Sequence, residues 1–216
     1  MNALPTFAAA APVTMEATFA LLGPIALFAL VSSITPGPNN VMVTASGLTF
    51  GLRRTLPHVL GITLGWMAMV LLCGAGMQAL FAQWPVLYDV LRVAGAAYLL
   101  YLAWRIARSG PPETGRADSR PFTFLQAAAF QWVNPKAWVM SIGVVAYLPQ
   151  QGFIASLLLA GIVCAVVNFP CVVLWAAFGS ALRHVLRKPG PVRVFNGVMA
   201  VLLVLSLLPL VSELVH

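Results

Sequence analysis

Lys136 lies in the run QWVNPKAWVM, directly after Asn134 and Pro135, with apolar sequence on either side. A second interruption of apolar sequence, ITPGPNN, places Pro36, Gly37, Pro38, Asn39 and Asn40 between FALLGPIALFALVSS and VMVTASGL. Proline removes a backbone donor and glycine permits turns that other residues resist, so neither run continues as regular helix. In each, a new helix is expected to begin at the break. Pro38 is placed as a first-turn residue with Asn39 and Asn40 bonding nearby; Asn134 is placed as a cap, with Pro135 and Lys136 opening the next half. A helix N-terminus carries free N–H groups and roughly half a positive charge. Two of them with a lysine suit a small anionic group, most obviously a carboxylate. Gln131, one turn before the second break, is a further candidate for this cavity. Asn168, two residues before Pro170, either lines the same cavity or makes a packed polar kink. The bland alternative for both breaks is a pair of proline kinks that shape helix packing. The matched pair, with asparagine in both and lysine in one, favours a site.

Other chemistry finds little support. Ser46 and Ser141 have no deep histidine to activate them, and no H-E-x-x-H run occurs, so an enzyme is not expected. A metal-ion or other cation exporter would need ligands inside the apolar runs, and no acidic or histidine cluster is there. Cys73, Cys164 and Cys171 lack metal-ligand spacing and read as small apolar filler. No cofactor is expected.

The elements that position the candidates follow from composition. The chain is 61% hydrophobic and 8% charged, against about 25% charged residues in soluble domains. Successive apolar stretches of roughly 20 residues are long enough to cross hydrocarbon. The reading is an all-α integral membrane protein, a single domain over 1–216, with the lipid bilayer as its solvent. Six spans are expected, over about 17–50 (interrupted), 57–81, 86–106, 122–149, 153–182 and 194–213. The N-terminus lacks a basic n-region, so a cleaved signal peptide is not expected; Met15 opens the first good span. The net charge of +7 does not point to nucleic acid. All but two of the 12 basic residues fall in GLRRT, RIARSGPPETGRADSRP and RHVLRKPGPVR, and the links around QWPV and LPQQG have none. That alternation places the basic loops in the cytoplasm and both termini outside, in the periplasm. The two exceptions are Arg92, explained by an interfacial i,i+3 pair with Asp89 or by snorkelling to headgroups, and Lys136. A lysine near the bilayer centre costs about 2.5–3.5 kcal/mol on insertion scales, so it requires a partner or a wet cavity.

An internal repeat accounts for the breaks. Pro38 stands as far before Gly51 as Lys136 does before Pro149, and Gly61 and Gly161 follow Pro36 and Pro135 at nearly equal offsets. Repeat one (about 17–106) and repeat two (about 122–214) flank a cytoplasmic loop at about 107–121, and an odd number of spans in each makes the second inverted. Inverted repeats with broken helices 1 and 4 point to a transporter site at the midplane. GITLG, with Gly61 and Gly65, has small-xxx-small spacing for close helix contact, within one protomer or in a homo-oligomer. His58 reads as a loop-end residue rather than a proton switch, and Trp66, Trp132, Trp138 and Trp175 read as packing or interface anchors, with stacking of one of them on substrate as the alternative.

In TPGPNN, GLRRTLPHVLGITLGW, AGAAYLLYLAWRIA and QWVNPKAW, taken in this order and spacing, the sequence resembles the LysE/RhtB family of amino-acid exporters. The resemblance runs from about Phe19 to the C-terminus. It implies a bacterial inner-membrane carrier with a small amino acid as substrate, driven by proton motive force. The branches it most resembles export cysteine and O-acetylserine, or homoserine and threonine. It puts functional weight on Pro36, Gly37, Pro38, Asn39, Asn134, Pro135 and Lys136. Asn39 stands where some members carry an acid, which argues against a lysine or arginine substrate and against a proton site built on a carboxylate at this break.

Overall fold

The computed structural model describes residues 15–77, 83–108, 120–149, 152–185 and 189–206. Every regular element among them is helical: α1 (Met15–Ile34), α2 (Pro38–Phe50), α3 (Leu52–Leu72, continued by a π-turn over Cys73–Met77), α4 (Pro85–Ala107), α5 (Phe124–Phe130, followed by a 3-10 turn over Gln131–Val133), α6 (Pro135–Ala146), α7 (Phe153–Val185) and α8 (Pro189–Leu205). Both expected breaks are present, and the first is narrower than its sequence suggests. Only Thr35, Pro36 and Gly37 leave the helix, because Pro38 needs no N–H at a first-turn position.

The connection from α2 to α3 is Gly51 alone, whose φ of 79° is open to glycine. Arg53 and Arg54 therefore lie in the first turn of α3 rather than in a loop, and Pro57 is carried inside that helix. His58 corrects the loop-end expectation: it sits inside α3, 1% exposed, with its ring stacked on Phe122 at 5.2 Å between centroids. The expected end of the sixth span beyond residue 206 and the side chains of Asp89 and Arg92 lie outside the described residues.

The exterior is apolar where that of a water-soluble fold is polar, and polar side chains are buried beside the apolar core. Leu125, Val139, Val166 and Val194 are each at least 66% exposed, whereas Asn40, Thr44, Thr63, Gln131, Asn134 and Asn168 are buried. An apolar exterior around a hydrogen-bonded polar interior fits hydrocarbon as the surrounding solvent. Two continuous helical stretches, Leu52–Gly76 and Phe153–Arg183, are each long and apolar enough to cross a membrane; four further apolar helices are shorter.

Small residues set the packing. A Cβ on Gly47 of α2 would overlap the Ala176 carbonyl oxygen of α7, and one on Gly179 of α7 would overlap the Thr44 carbonyl oxygen of α2. These two backbones meet with no side chain between them, and the Thr44 hydroxyl oxygen lies 3.3 Å from the Trp175 carbonyl oxygen. Gly61 and Gly65 act the same way within the chain, bringing α3 onto Phe124, Ala127 and Ala128 of α5. Further packing sets α7 on α1 and α3, and α4 on α8. Thus α1, which ends at the first break, rests on α7, while α5, which ends at the second, rests on α3. The three cysteines are free and buried, as filler would be.

Candidate functional site

At the first break α1 closes with Thr35 N–H donating to the Val31 carbonyl at 3.2 Å. Gly37 is extended (φ −174°), a conformation any residue adopts, so its lack of a side chain matters for space rather than for the backbone. A Cβ there would stand 2.7 Å from Cδ of Lys136. The first intrahelical bond of α2 runs from Val41 N–H to the Gly37 carbonyl at 3.0 Å.

At the second break the chain tightens through the 3-10 turn and extends at Asn134 (φ −90°, ψ 108°). Asn134 caps α6 as expected: its Oδ1 accepts from the Lys136 N–H at 3.1 Å, with Pro135 at the first helical position.

The two breaks meet. Lys136 Nζ donates to the Thr35 carbonyl at 2.8 Å, the Thr35 hydroxyl oxygen at 2.7 Å and the Pro36 carbonyl at 3.3 Å. An ammonium has three protons, and here all three have acceptors. These acceptors belong to the C-terminal end of α1, where unpaired carbonyls carry partial negative charge. A second tie is a reciprocal amide pair. Asn39 Nδ2 donates to Gln131 Oε1 at 2.9 Å, and Gln131 Nε2 returns a bond to Asn39 Oδ1 at 3.2 Å while also donating to the Ala127 carbonyl at 2.9 Å.

Asn40 bridges its own break, donating to the Ser33 carbonyl at 2.9 Å and the Thr35 carbonyl at 2.8 Å. Asn168 reaches the same place from α7. Its Nδ2 donates to Ser33 Oγ at 2.9 Å, and its Oδ1 accepts from the Thr63 hydroxyl at 3.0 Å. Pro36, Gly37, Pro38, Asn39, Asn40, Gln131, Asn134, Pro135 and Lys136 therefore converge on one crossing point, and Asn168 joins it through Ser33. Ser33, Thr35 and Thr63 were not singled out by sequence. Hydroxyl residues are common in apolar helices, and only the position of Thr35 at the edge of a break offered a signal. Trp132 and Trp138 contact each other, with Trp138 Nε1 donating to the Trp132 carbonyl at 2.9 Å.

The arrangement holds one cation against a helix C-terminus, sets two helix N-termini beside it, and surrounds them with neutral amides. Among the described residues no group of His, Cys, Asp or Glu side chains is gathered as a metal site.

The family model of the LysE type translocators matches residues 30–212, a stretch that includes both breaks and every residue of the network. The chain belongs to the LysE type translocator family. Two relatives of this translocator, both cysteine/O-acetylserine efflux proteins, come from Escherichia coli (strain K12) and Shigella flexneri. Each is 32% identical over 188 residues, covering 85% of this chain and 94% of the relative. No solved structure matches this LysE type translocator.

Proposed function

We propose that this chain is a secondary transporter that exports small neutral amino acids across the bacterial inner membrane, with cysteine, O-acetylserine, homoserine and threonine as the substrate class and the proton motive force as the drive. The observation that carries the reading is the seating of Lys136, from the second break, on Thr35 and Pro36 of the first. A lone proline kink would leave a mid-span lysine without such a partner. The efflux proteins that share most of the chain's length support the class of cargo.

Six spans in two inverted repeats are part of this proposal. The exchange in packing, α1 on α7 and α5 on α3, is what a twofold axis in the membrane plane produces. In this arrangement α2 and α6 start near the midplane and run in opposite directions, both N-termini facing the substrate carboxylate, with Lys136 adding a full positive charge. Asn39, Asn40, Gln131, Asn134 and Asn168 orient the remainder of the substrate through neutral amides, which suits an uncharged side chain. Alternating access is rocking of one repeat against the other about the crossing point. The basic loops face the cytoplasm and both termini the periplasm.

Counterflow of labelled cysteine, O-acetylserine, homoserine and threonine into proteoliposomes tests the reading. Movement of at least one, with labelled lysine excluded, is the expected result. A folded protein that moves none of them contradicts it.

Gly37→Ala supplies a prediction at the same site. Its methyl group would enter the space of the Lys136 stem, 2.7 Å from Cδ. The neighbour is a flexible side chain, so the fold tolerates the change while Nζ is displaced. The displaced ammonium loses about one charge-assisted hydrogen bond to the first break in the empty site, so KM for the transported amino acid should fall by about tenfold, with the melting temperature nearly unchanged. An unaltered KM would show that the close approach at Gly37 has no bearing on transport.

A further inference from the structure

We propose that Thr35 and Pro36 form the seat for the α-ammonium group of the transported amino acid, and that the Lys136 ammonium occupies this seat only while the site is empty. The inference rests on the export reading above and extends it to a subsite made by residues outside the asparagine and lysine set.

The seat binds a primary ammonium in the structure. Two carbonyls and one hydroxyl converge on Nζ at 2.7 to 3.3 Å. An amino acid carries the same group, a tetrahedral ammonium with three protons, on its α-carbon. The seat also persists without the lysine. The Thr35 carbonyl is held by Asn40 Nδ2 at 2.8 Å, and the Thr35 hydroxyl proton goes to the Ser32 carbonyl at 3.0 Å, which leaves an oxygen lone pair for the cation. Thr35 and Pro36 are uncovered by protein, whereas Ser33, Gly37, Pro38 and Asn40 around them are buried. The Lys136 stem runs past Gly37, where no side chain blocks its swing.

The break offers both polarities within a few residues: α1 ends in carbonyls at Thr35 and Pro36, and α2 begins with N–H groups that have no helical acceptor. A zwitterion matches both. When its ammonium enters the seat, Lys136 is released to pair with its carboxylate, so every charge keeps a partner. A 2-hydroxy acid would leave the seat without a cation. An amino alcohol would evict Lys136 with no carboxylate to receive it. The exchange therefore selects for α-amino acids, whatever their neutral side chain.

Counterflow kinetics in proteoliposomes test this with labelled homoserine and threonine, using the 2-hydroxy acid and amino alcohol analogues of homoserine as competitors. For wild type, competition by unlabelled homoserine and none by either analogue is expected. In Lys136→Met, where no lysine competes for the seat, the amino alcohol should bind to the purified protein, and adding Thr35→Val should weaken that binding about tenfold for the loss of one hydrogen bond to a charged group, with Thr35→Ser restoring it. Equal binding of the amino alcohol by Lys136→Met with and without Thr35→Val, or competition by the hydroxy acid equal to that of homoserine, overturns the seat while leaving the exporter reading in place. Sodium-dependent transport that loses this dependence in Thr35→Val overturns it too, by assigning the carbonyls to a coupling cation. A wild type that moves none of homoserine, threonine, cysteine and O-acetylserine removes both the exporter reading and the seat.

Discussion

Replacing Lys136 with alanine is expected to abolish export, lowering the initial rate by at least about 100-fold, while the protein still inserts and folds. The magnitude follows from what is removed. Lys136 Nζ makes three hydrogen bonds to the first break, and charge-assisted bonds are roughly twice as strong as neutral ones. It is also the cation assigned to the substrate carboxylate. The fold should survive for separate reasons. The acceptors on Thr35 and Pro36 are uncovered, Asn134 still caps α6, and the Asn39–Gln131 pair still joins the breaks. Lys136→Met keeps the stem beside Gly37 and removes only the charge, so it should fail as alanine does. Export by Lys136→Met at the wild-type rate would return the residue to a structural role.

The second large effect is expected at the α2–α7 seam. Gly179→Ala puts a methyl group onto the Thr44 carbonyl oxygen, and Gly47→Ala puts one onto the Ala176 carbonyl oxygen. Both obstacles are helix backbone, which cannot turn aside as a side chain does, so the helices must separate. Helix association in a bilayer depends on such close packing because hydrocarbon supplies no hydrophobic drive. Separation would loosen the cluster of Val43, Val59, Ile62, Ala127, Val172 and Ala176. Overpacking of this kind costs about 1–3 kcal/mol, and at about 2–4 °C per kcal/mol for a chain of this size the melting temperature of the purified protein should fall by several degrees for either variant. Gly197→Ala, at a site where a Cβ meets no atom within 4 Å, is the control and should melt with wild type. Gly179→Ala melting with wild type would mean that α2 and α7 are not in backbone contact.

The parts of the fold legible in the sequence were those governed by local backbone chemistry. Proline and glycine punctuation located both breaks, Asn134 before Pro135 marked a cap, and the spacing of Gly61 and Gly65 marked a close contact. Lys136 was conspicuous because a mid-span charge requires an explanation. What the sequence could not show was partnership across the chain. Asn39 and Gln131 are 92 positions apart, and Lys136 and Thr35 are 101 apart; no periodicity connects them. Ser33 and Thr63 carry no signal in the sequence because a hydroxyl in an apolar helix usually satisfies itself on the preceding turn, as Thr44 does on the Asn40 carbonyl at 2.6 Å. His58 was misplaced because PHV after two arginines reads as loop, whereas Gly51 makes the turn alone and α3 has already begun at Leu52. Its Nδ1 is buried without a hydrogen-bond partner.

The account depends on the two breaks touching each other in the membrane. With Cys73, Cys164 and Cys171 replaced by alanine, Gly37→Cys and Lys136→Cys can be combined and treated with a short thiol cross-linker in inner-membrane vesicles. Val139, 70% exposed on the outer face of α6, supplies the control partner for Gly37→Cys. The expected result is efficient cross-linking of the 37/136 pair, with none in either single variant or in the 37/139 pair. A 37/136 pair that reacts with monofunctional reagents yet never cross-links would mean that the breaks stand apart, and the shared site would not exist.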